Sequence, residues 1–480
     1  MTSIPAAKAL PALLFVLVAA IAAHVYVNFA PGAMSPDSLS ILGQARAGVF
    51  EDGHPPLMTA VWQLLDRIVP GPVGMLVLHL AMFYGGLFLI FRTALKQHGP
   101  LAIAVCVGVG LYPPLLGILG VIWIDITMAG LFLLAVGCWL SSGDSRPRPP
   151  LLLLALVLTA LGISARHNAA AAAFPLLALF LLRDARPASA WPKAAARAIA
   201  LGAIATVLLF VAGKWVSAQF VDQPRHLWRA AALYDIAGAS HYENRDLFHP
   251  GVLTRPSLDE VHRLYSPRSY FPLMTGEQIH GKPGTVPEPG APLELDTRNP
   301  RLSEVLGRNW IEVVLEHPGA YLRHRTEFFR SMVRREPWGL WAPHFDAIYP
   351  NQLGVPQRSR ANYSEVFFHV RWLAVTSSIF EPLPYLVLSA LLFLPVLAFG
   401  LALRDRLLQA AAALYASGVC HMGGLFFFAV TPDFRYSHWP ITAAAVATGL
   451  LVVTLARPAA VVLRRRWADL RGSGARAIRR

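Results

Sequence analysis

Ten apolar windows in this 480-residue chain constrain its fold more than any other feature. They run near Ala9–Ala30, Val73–Phe91, Leu101–Leu119, Ile124–Leu140, Leu151–Ile163, Ala169–Leu182, Ala194–Phe220, Leu383–Leu403, Leu408–Val430 and Trp439–Ala456. Most reach the roughly 20 residues a helix needs to cross a bilayer, while the fifth and sixth are shorter. Inside hydrocarbon every backbone N–H and C=O must bond within the protein, so such segments can only be helices or a closed barrel, and runs of this length are helical. With 55% hydrophobic and 15% charged residues, the composition excludes an ordinary soluble domain. The expected fold class is an all-α polytopic membrane protein with about ten transmembrane helices and one large extracytoplasmic mixed domain. Ala-rich patches at Ala169–Ala173 and Ala410–Ala413 fall inside spans, where small side chains allow close helix packing.

Charge gives the expected orientation. If both termini are cytoplasmic, the inside segments hold 19 basic residues against 4 acidic ones, a surplus larger than the chain's whole net charge of +14. The basic character is therefore a positive-inside topology signal, and no nucleic-acid partner is expected. The tail from Arg464 to Arg480 reads as an inside anchor to anionic lipid. This layout suits a multi-pass protein of a bacterial inner membrane. Of 28 acidic residues, 18 lie between Asp222 and Glu381, a stretch without a membrane-length apolar run. The chain thus divides into an N-terminal bundle at 1–220 with a first outer loop at 31–72, an extracytoplasmic domain at 221–382, and C-terminal spans with the basic tail at 383–480. Within the outer domain Leu302–Val333 carries a helical pattern interrupted by Pro318, and Gly276–Pro292 reads as a loop. Cys106, Cys138 and Cys420 all sit in apolar spans, so neither a disulfide framework nor a metal-ligand spacing is present.

The chemistry must come from polar groups where the spans emerge. Met34–Leu57 follows the first span directly and opens with Ser35-Pro36-Asp37, a helix start, with Leu39, Leu42, Ala45 and Val49 near helical spacing. A short interfacial helix is expected, stopped by Gly53-His54-Pro55-Pro56, since prolines remove donors and fix the backbone. The other outer ends bring Trp123 and Asp125, then Arg166, His167 and Asn168, then Asp433, Arg435, Tyr436 and His438. Ionisable groups this close to hydrocarbon cost energy, and they are kept when paired or used. Plainer roles exist for each. Asp37 could cap its helix, Asp125 could pair with Arg166, the arginines could snorkel to headgroups, and Tyr436 with Trp439 could form an aromatic belt.

These residues resemble a known group, the polytopic glycosyltransferases of the GT-C type, including protein mannosyltransferases and bacterial lipid A aminoarabinose transferases. The resemblance rests on Asp37 in the first outer loop, Gly53-His54-Pro55-Pro56-Leu57, Trp123-Ile124-Asp125, Arg166-His167-Asn168 and Pro432-Asp433-Phe434-Arg435-Tyr436. It departs from the family pattern in one place: Asp37 is followed by Ser38, where an Asp-Glu pair is frequent.

The resemblance implies transfer of a hexosyl or pentosyl group from a polyprenyl-phosphate carrier to an envelope lipid, glycan or protein on the outer face. Asp37 would be the catalytic base, and His54, Asp125, Arg166, His167, Arg435 and Tyr436 would bind substrate. Arg166 and Arg435 suit the departing phosphate because a guanidinium is always charged and forks onto phosphate oxygens. No cofactor is implied, no metal ligands are assigned, and a divalent metal remains open. The partners are the bilayer, the lipid-linked donor and an acceptor. Other classes are a transporter or flippase of envelope lipid, or an oligosaccharide ligase or polymerase.

Overall fold

The computed structural model describes residues 4–143, 148–182, 191–254, 258–276, 293–297, 299–333, 343–357 and 365–456. The basic tail and most of the loop expected at Gly276–Pro292 lie outside them.

Ten membrane-length or near-membrane-length helical units follow the apolar windows. They are α1 (Ile4–Phe29), α4 (Val73–His98), α5 with α6 (Leu101–Gly110 and Pro113–Leu119), α7 (Ile124–Ser141), α8 (Pro149–Ala165), α9 (Ala169–Leu181), α10 (Trp191–Ala218), α17 (Pro382–Ala402), α18 (Arg406–Phe428) and α19 (Phe434–Ala456). Seven are long and apolar enough to cross a bilayer; α5 and α6 count as an eighth span if the pair, bent by 49° at Leu111-Tyr112, is one. The shorter α8 and α9 bring the number to ten. The bend follows from Pro113 and Pro114, which cannot continue a helix but suit the first turn of a new one. At the bundle's centre α7 is buried over most of its length, while α10 and α17 present apolar side chains outward, as lipid-facing helices do.

The first loop differs from expectation. α2 (Pro36–Ala47) stops at Gly48, which takes the left-handed conformation at φ 66° and donates its N–H back to Gln44 O. The Gly-His-Pro-Pro turn lies beyond this stop, and its second proline starts a further helix, α3 (Pro56–Ile68), that was not expected. Nor does Asp37 cap α2. Ser35 is the N-cap, in a reciprocal box with Ser38.

Trp439 is not part of an interfacial belt either. It is buried at 1% exposure, packs edge-on against Phe132, and donates its indole N–H to Ser417 Oγ at 2.9 Å. His438 is likewise fully buried, beside Phe83, and does not face the site.

The segment between α10 and α17 is helical among its described residues: α11 (Trp228–Glu243), α12 (Leu258–Leu264), α13 (Phe271–Thr275), α14 (Leu302–Glu316), α15 (Pro318–Val333) and α16 (Glu365–Thr376). Pro318 separates α14 from α15 and begins the latter. The expected mixed character reduces to isolated β-bridges such as Leu253 with Leu295. Its core is continuous with Met422, Leu425 and Ala429 at the end of α18. Residues 343–349 thread between α6 and the start of α2. Phe345 N–H donates to Gly117 O (3.1 Å), Met34 N–H to Ala347 O (2.9 Å) and Tyr349 N–H to Met34 O (3.3 Å). Gly117 permits this passage, because a Cβ there would fall 2.2 Å from Pro343 O.

Candidate active site

Four inter-helix connections and the C-terminal end of α18 meet at one end of the bundle. Backbone bonds fix the first two: Ala33 N–H donates to Gly120 O (2.9 Å) and Ile122 N–H to Ala33 O (3.0 Å). Ser38 Oγ–H donates to Ile122 O at 2.8 Å, and the Trp123 indole donates to Ser35 Oγ at 2.8 Å. Residues 33–38 are thus locked to 120–123, which brings the segments carrying Asp37 and Asp125 to the same end.

Two arginines from different connections meet these carboxylates, Arg166 of the α8–α9 turn at Asp125 and Arg435 of α19 at Asp37. Arg166, 7% exposed, forms an ion pair with Asp125 and donates from Nε to Asn168 Oδ1 at 2.7 Å. Arg435, from the first turn of α19, pairs with Asp37 through Nη1 and lies 2.9 Å from Asp433 Oδ2 through Nε. Tyr436 stands between the two guanidiniums, whose Cζ atoms sit 4.6 Å (Arg166) and 5.4 Å (Arg435) from its ring centre. Trp123 flanks Arg435 at 5.2 Å. Cation–π contacts of this kind hold a guanidinium without consuming its N–H donors. Each arginine therefore keeps donors for a ligand after meeting its carboxylates. Arg166 is buried, Arg435 is half-buried, and both are ion-paired to carboxylates.

A cavity of about 560 Å³ opens beside this cluster, within the size range of small-molecule sites. His54, Asp125, Arg166, His167, Arg435 and Tyr436 all line it, whereas Asp37 does not and is joined to it by its contact with Arg435. Its other walls come from places the sequence did not suggest: Lys214 and Phe210 of α10, Trp228 of α11, Trp310 of α14, and Leu425 with Phe428 of α18. Lys214 had a legible signal, a lone lysine within an apolar span. Trp310 had none, since only the fold brings α14 to the bundle.

The electrostatics sort the groups. Burial acts to raise the Asp37 carboxyl, but the charges around it, chiefly Arg435 with His54 and Arg166 behind it, outweigh burial and hold it below its ordinary value. Burial pushes Asp433 up despite Arg435 beside it, and brings Arg166 down to about 10, so this guanidinium stays charged at neutral pH. His54 is lowered by burial against the pull of Asp37.

His167 is pinned at both nitrogens. Nε2 faces the Asp52 carbonyl at 3.1 Å, and Nδ1 faces the Lys214 ammonium. A carbonyl can only accept and an ammonium can only donate, so the ring is the neutral Nε2–H tautomer. Its pKa, pushed down to about 4 by burial and by Lys214, agrees. Among the described residues no three of His, Cys, Asp and Glu gather as metal ligands would.

No protein-family model matches this chain. No curated protein matches it either. Two solved structures are similar to it, both of ArnT from Cupriavidus metallidurans. The structure bound to undecaprenyl phosphate has 12% identity over 93% of this chain and 78% of that one, with a TM-score of 0.32. The apo structure has 12% identity over 95% and 79%, with a TM-score of 0.33.

Proposed function

We propose that this protein is a membrane glycosyltransferase that moves a sugar from a polyprenyl-phosphate carrier to an acceptor hydroxyl at the outer face of the membrane. One observation carries the reading: a single cavity at the end of the bundle joins two ion-paired arginines to apolar walls at Phe210, Leu425 and Phe428, and the Asp37 carboxylate is held by one of those arginines. A phosphate attached to a long hydrocarbon needs that combination. The charge distribution of the sequence supports an outward-facing site end and cytoplasmic termini.

The geometry supports the following roles. Arg166 and Arg435 hold the phosphate oxygens and neutralise the charge that grows as the anomeric C–O bond to phosphate breaks. Arg435 engages Asp37 Oδ2, so Oδ1 is the oxygen that receives the acceptor proton as the acceptor oxygen bonds to the anomeric carbon. The products are the glycosylated acceptor and free polyprenyl phosphate, and the proton leaves from Asp37. The phosphate is a good leaving group, so a general acid is dispensable.

The test is transfer by purified protein in nanodiscs from radiolabelled sugar–phosphoryl–undecaprenol, across a panel of donor sugars and of lipid, glycan and peptide acceptors. Activity with at least one pair, abolished in Arg166→Ala and Arg435→Ala, is expected. Failure of the wild-type protein to bind undecaprenyl phosphate at all would sink the reading.

A further inference from the structure

The segment between α10 and α17 contains a buried polar cluster that the proposed reaction leaves unexplained. Asp235 of α11 is fully buried. Its Oδ2 accepts from Arg325 Nη2 at 2.7 Å and from the Trp310 indole Nε1–H at 2.8 Å, and its Oδ1 lies 2.7 Å from Arg325 Nε. His324 Nε2 approaches the same Oδ1 at 3.1 Å, with its Nδ1 2.8 Å from the Tyr265 hydroxyl. Gly238, one turn along α11, makes room for His324, since a Cβ there would stand 2.3 Å from Nδ1. Stability alone gives a weak account of such a cluster, because well-packed apolar residues in place of a buried ion pair are often neutral or stabilising.

Two of its contacts lead to the cavity. Trp310 lines the cavity wall. Arg325 Nη1 donates to Ala429 O at 2.7 Å, and Ala429 with Val430 forms the adjoining wall. Asp235 thereby takes the only polar atom of the Trp310 indole, and Arg325 ties that lock to the loop leading to Arg435. With its nitrogen engaged, Trp310 has only carbon to offer the cavity, held in one orientation.

Hydrocarbon chains need no fixed plane and are served by Phe210, Leu425 and Phe428. A pyranose ring does need one, because it presents a face of C–H groups to an aromatic plane while its hydroxyls turn to polar groups, here Asp125, Asn168 and Arg166. We propose that Trp310, locked by Asp235 and Arg325, is the platform on which the sugar ring of the lipid-linked donor stacks, with Asp235 as its positioning residue. The proposal rests on the glycosyltransferase reading and names the part of the site that takes the sugar.

The experiment compares dissociation constants of nanodisc-embedded full-length protein for undecaprenyl phosphate and for its mannosyl, glucosyl and aminoarabinosyl esters. Wild type should bind at least one ester more tightly than the bare lipid, by on the order of tenfold for one aromatic contact. In Trp310→Ala that ratio should fall to near one, and Trp310→Phe should keep part of it. Asp235→Asn should lower the ratio part-way, and the double variant Asp235→Asn/Trp310→Ala should be no lower than Trp310→Ala alone, a coupling that general destabilisation would not produce. Equal weakening of ester and bare lipid in Trp310→Ala would make Trp310 a wall for the hydrocarbon and overturn the platform. An unchanged ratio in that variant would overturn it too. Loss of bare-lipid binding by wild type would instead fell the glycosyltransferase reading, and this proposal with it.

Discussion

Arg435 holds Asp37 across 398 residues of sequence, its Nη1 on Asp37 Oδ2 and its Nε 2.9 Å from Asp433 Oδ2. The first and last loops of the site end are thus closed on one another by a single guanidinium. Asp37 keeps 35% of its side-chain surface exposed while Arg435 keeps 16%, so the cation is enclosed and the carboxylate remains approachable. The pair is arranged to keep Asp37 ionised and reachable together, as a base for an incoming hydroxyl must be.

Replacing Asp37 separates catalysis from architecture. Ser35 and Ser38 already cap α2, so Asp37→Asn removes no cap. Asn also retains an oxygen for Arg435 but cannot take up a proton. Transfer should fall by a factor on the order of 10², the usual contribution of a positioned base, with expression and thermal midpoint nearly unchanged. Near-normal transfer in this variant would move the base to another carboxylate of the cavity.

The pH dependence follows from the same pair. A base works in its ionised form, so kcat/KM should be full above the Asp37 pKa and fall as pH drops through it. Because the charges around Asp37 hold that pKa below the ordinary carboxylate value, the acid limb should lie at low pH. Arg435→Gln removes the largest opposing charge and leaves burial, which raises the pKa, so the limb should move to higher pH on top of any loss in rate. A limb that stays in place in Arg435→Gln would belong to a different group.

Much of the fold was legible because the bilayer leaves one solution for long apolar runs: each of the ten windows coincides with a helical unit, the bent α5–α6 pair included. Asp37, Asp125, Arg166 and Arg435 were legible for a related reason, as charged residues placed where apolar runs end. The misreadings share a cause, since local pattern does not report tertiary packing. Trp439 has the sequence of an interfacial aromatic yet packs on Phe132 and Ser417. Pro55-Pro56 has the sequence of a stop yet begins α3. Trp310 and Lys214 reach the cavity only through the docking of α14 and the register of α10, neither of which periodicity fixes.

Sidedness is open to direct measurement. Gly99 lies between α4 and α5, and Asn299 lies ahead of α14 in the segment between α10 and α17. The positive-inside count puts Gly99 in the cytoplasm. A phosphatase reporter inserted at Asn299 should be active and one at Gly99 silent, with a cytoplasmic fluorescent reporter giving the reverse. Matching signals at both positions would refute the topology.

Lys214 supplies the cavity's remaining positive charge in a form unlike that of the arginines. Arg166 is met by Asp125, and Arg435 by Asp37 and Asp433, so three carboxylates stand against two guanidiniums. The Lys214 ammonium instead donates to His167 Nδ1, which must therefore be unprotonated, so the ring is neutral and donates its Nε2–H to the Asp52 carbonyl. An incoming phosphate therefore meets at Lys214 a charge not balanced by a contacting carboxylate. Lys214→Gln should weaken binding of undecaprenyl phosphate by about tenfold, in line with loss of one charge-assisted contact, and should make that binding less sensitive to salt. Lys214→Arg should retain most of it. The His167 pKa of about 4 adds a constraint on pH. The ring stays neutral until pH falls through that value, so between about pH 5.5 and 8 affinity should follow only the second ionisation of the lipid phosphate near 6, with the same profile in wild type and in His167→Gln, as measured by microscale thermophoresis in nanodiscs. An additional step near pH 6.5, the ordinary histidine range, present in wild type and absent in His167→Gln, would mean that His167 titrates as a cation and that the Lys214 contact is broken when it does.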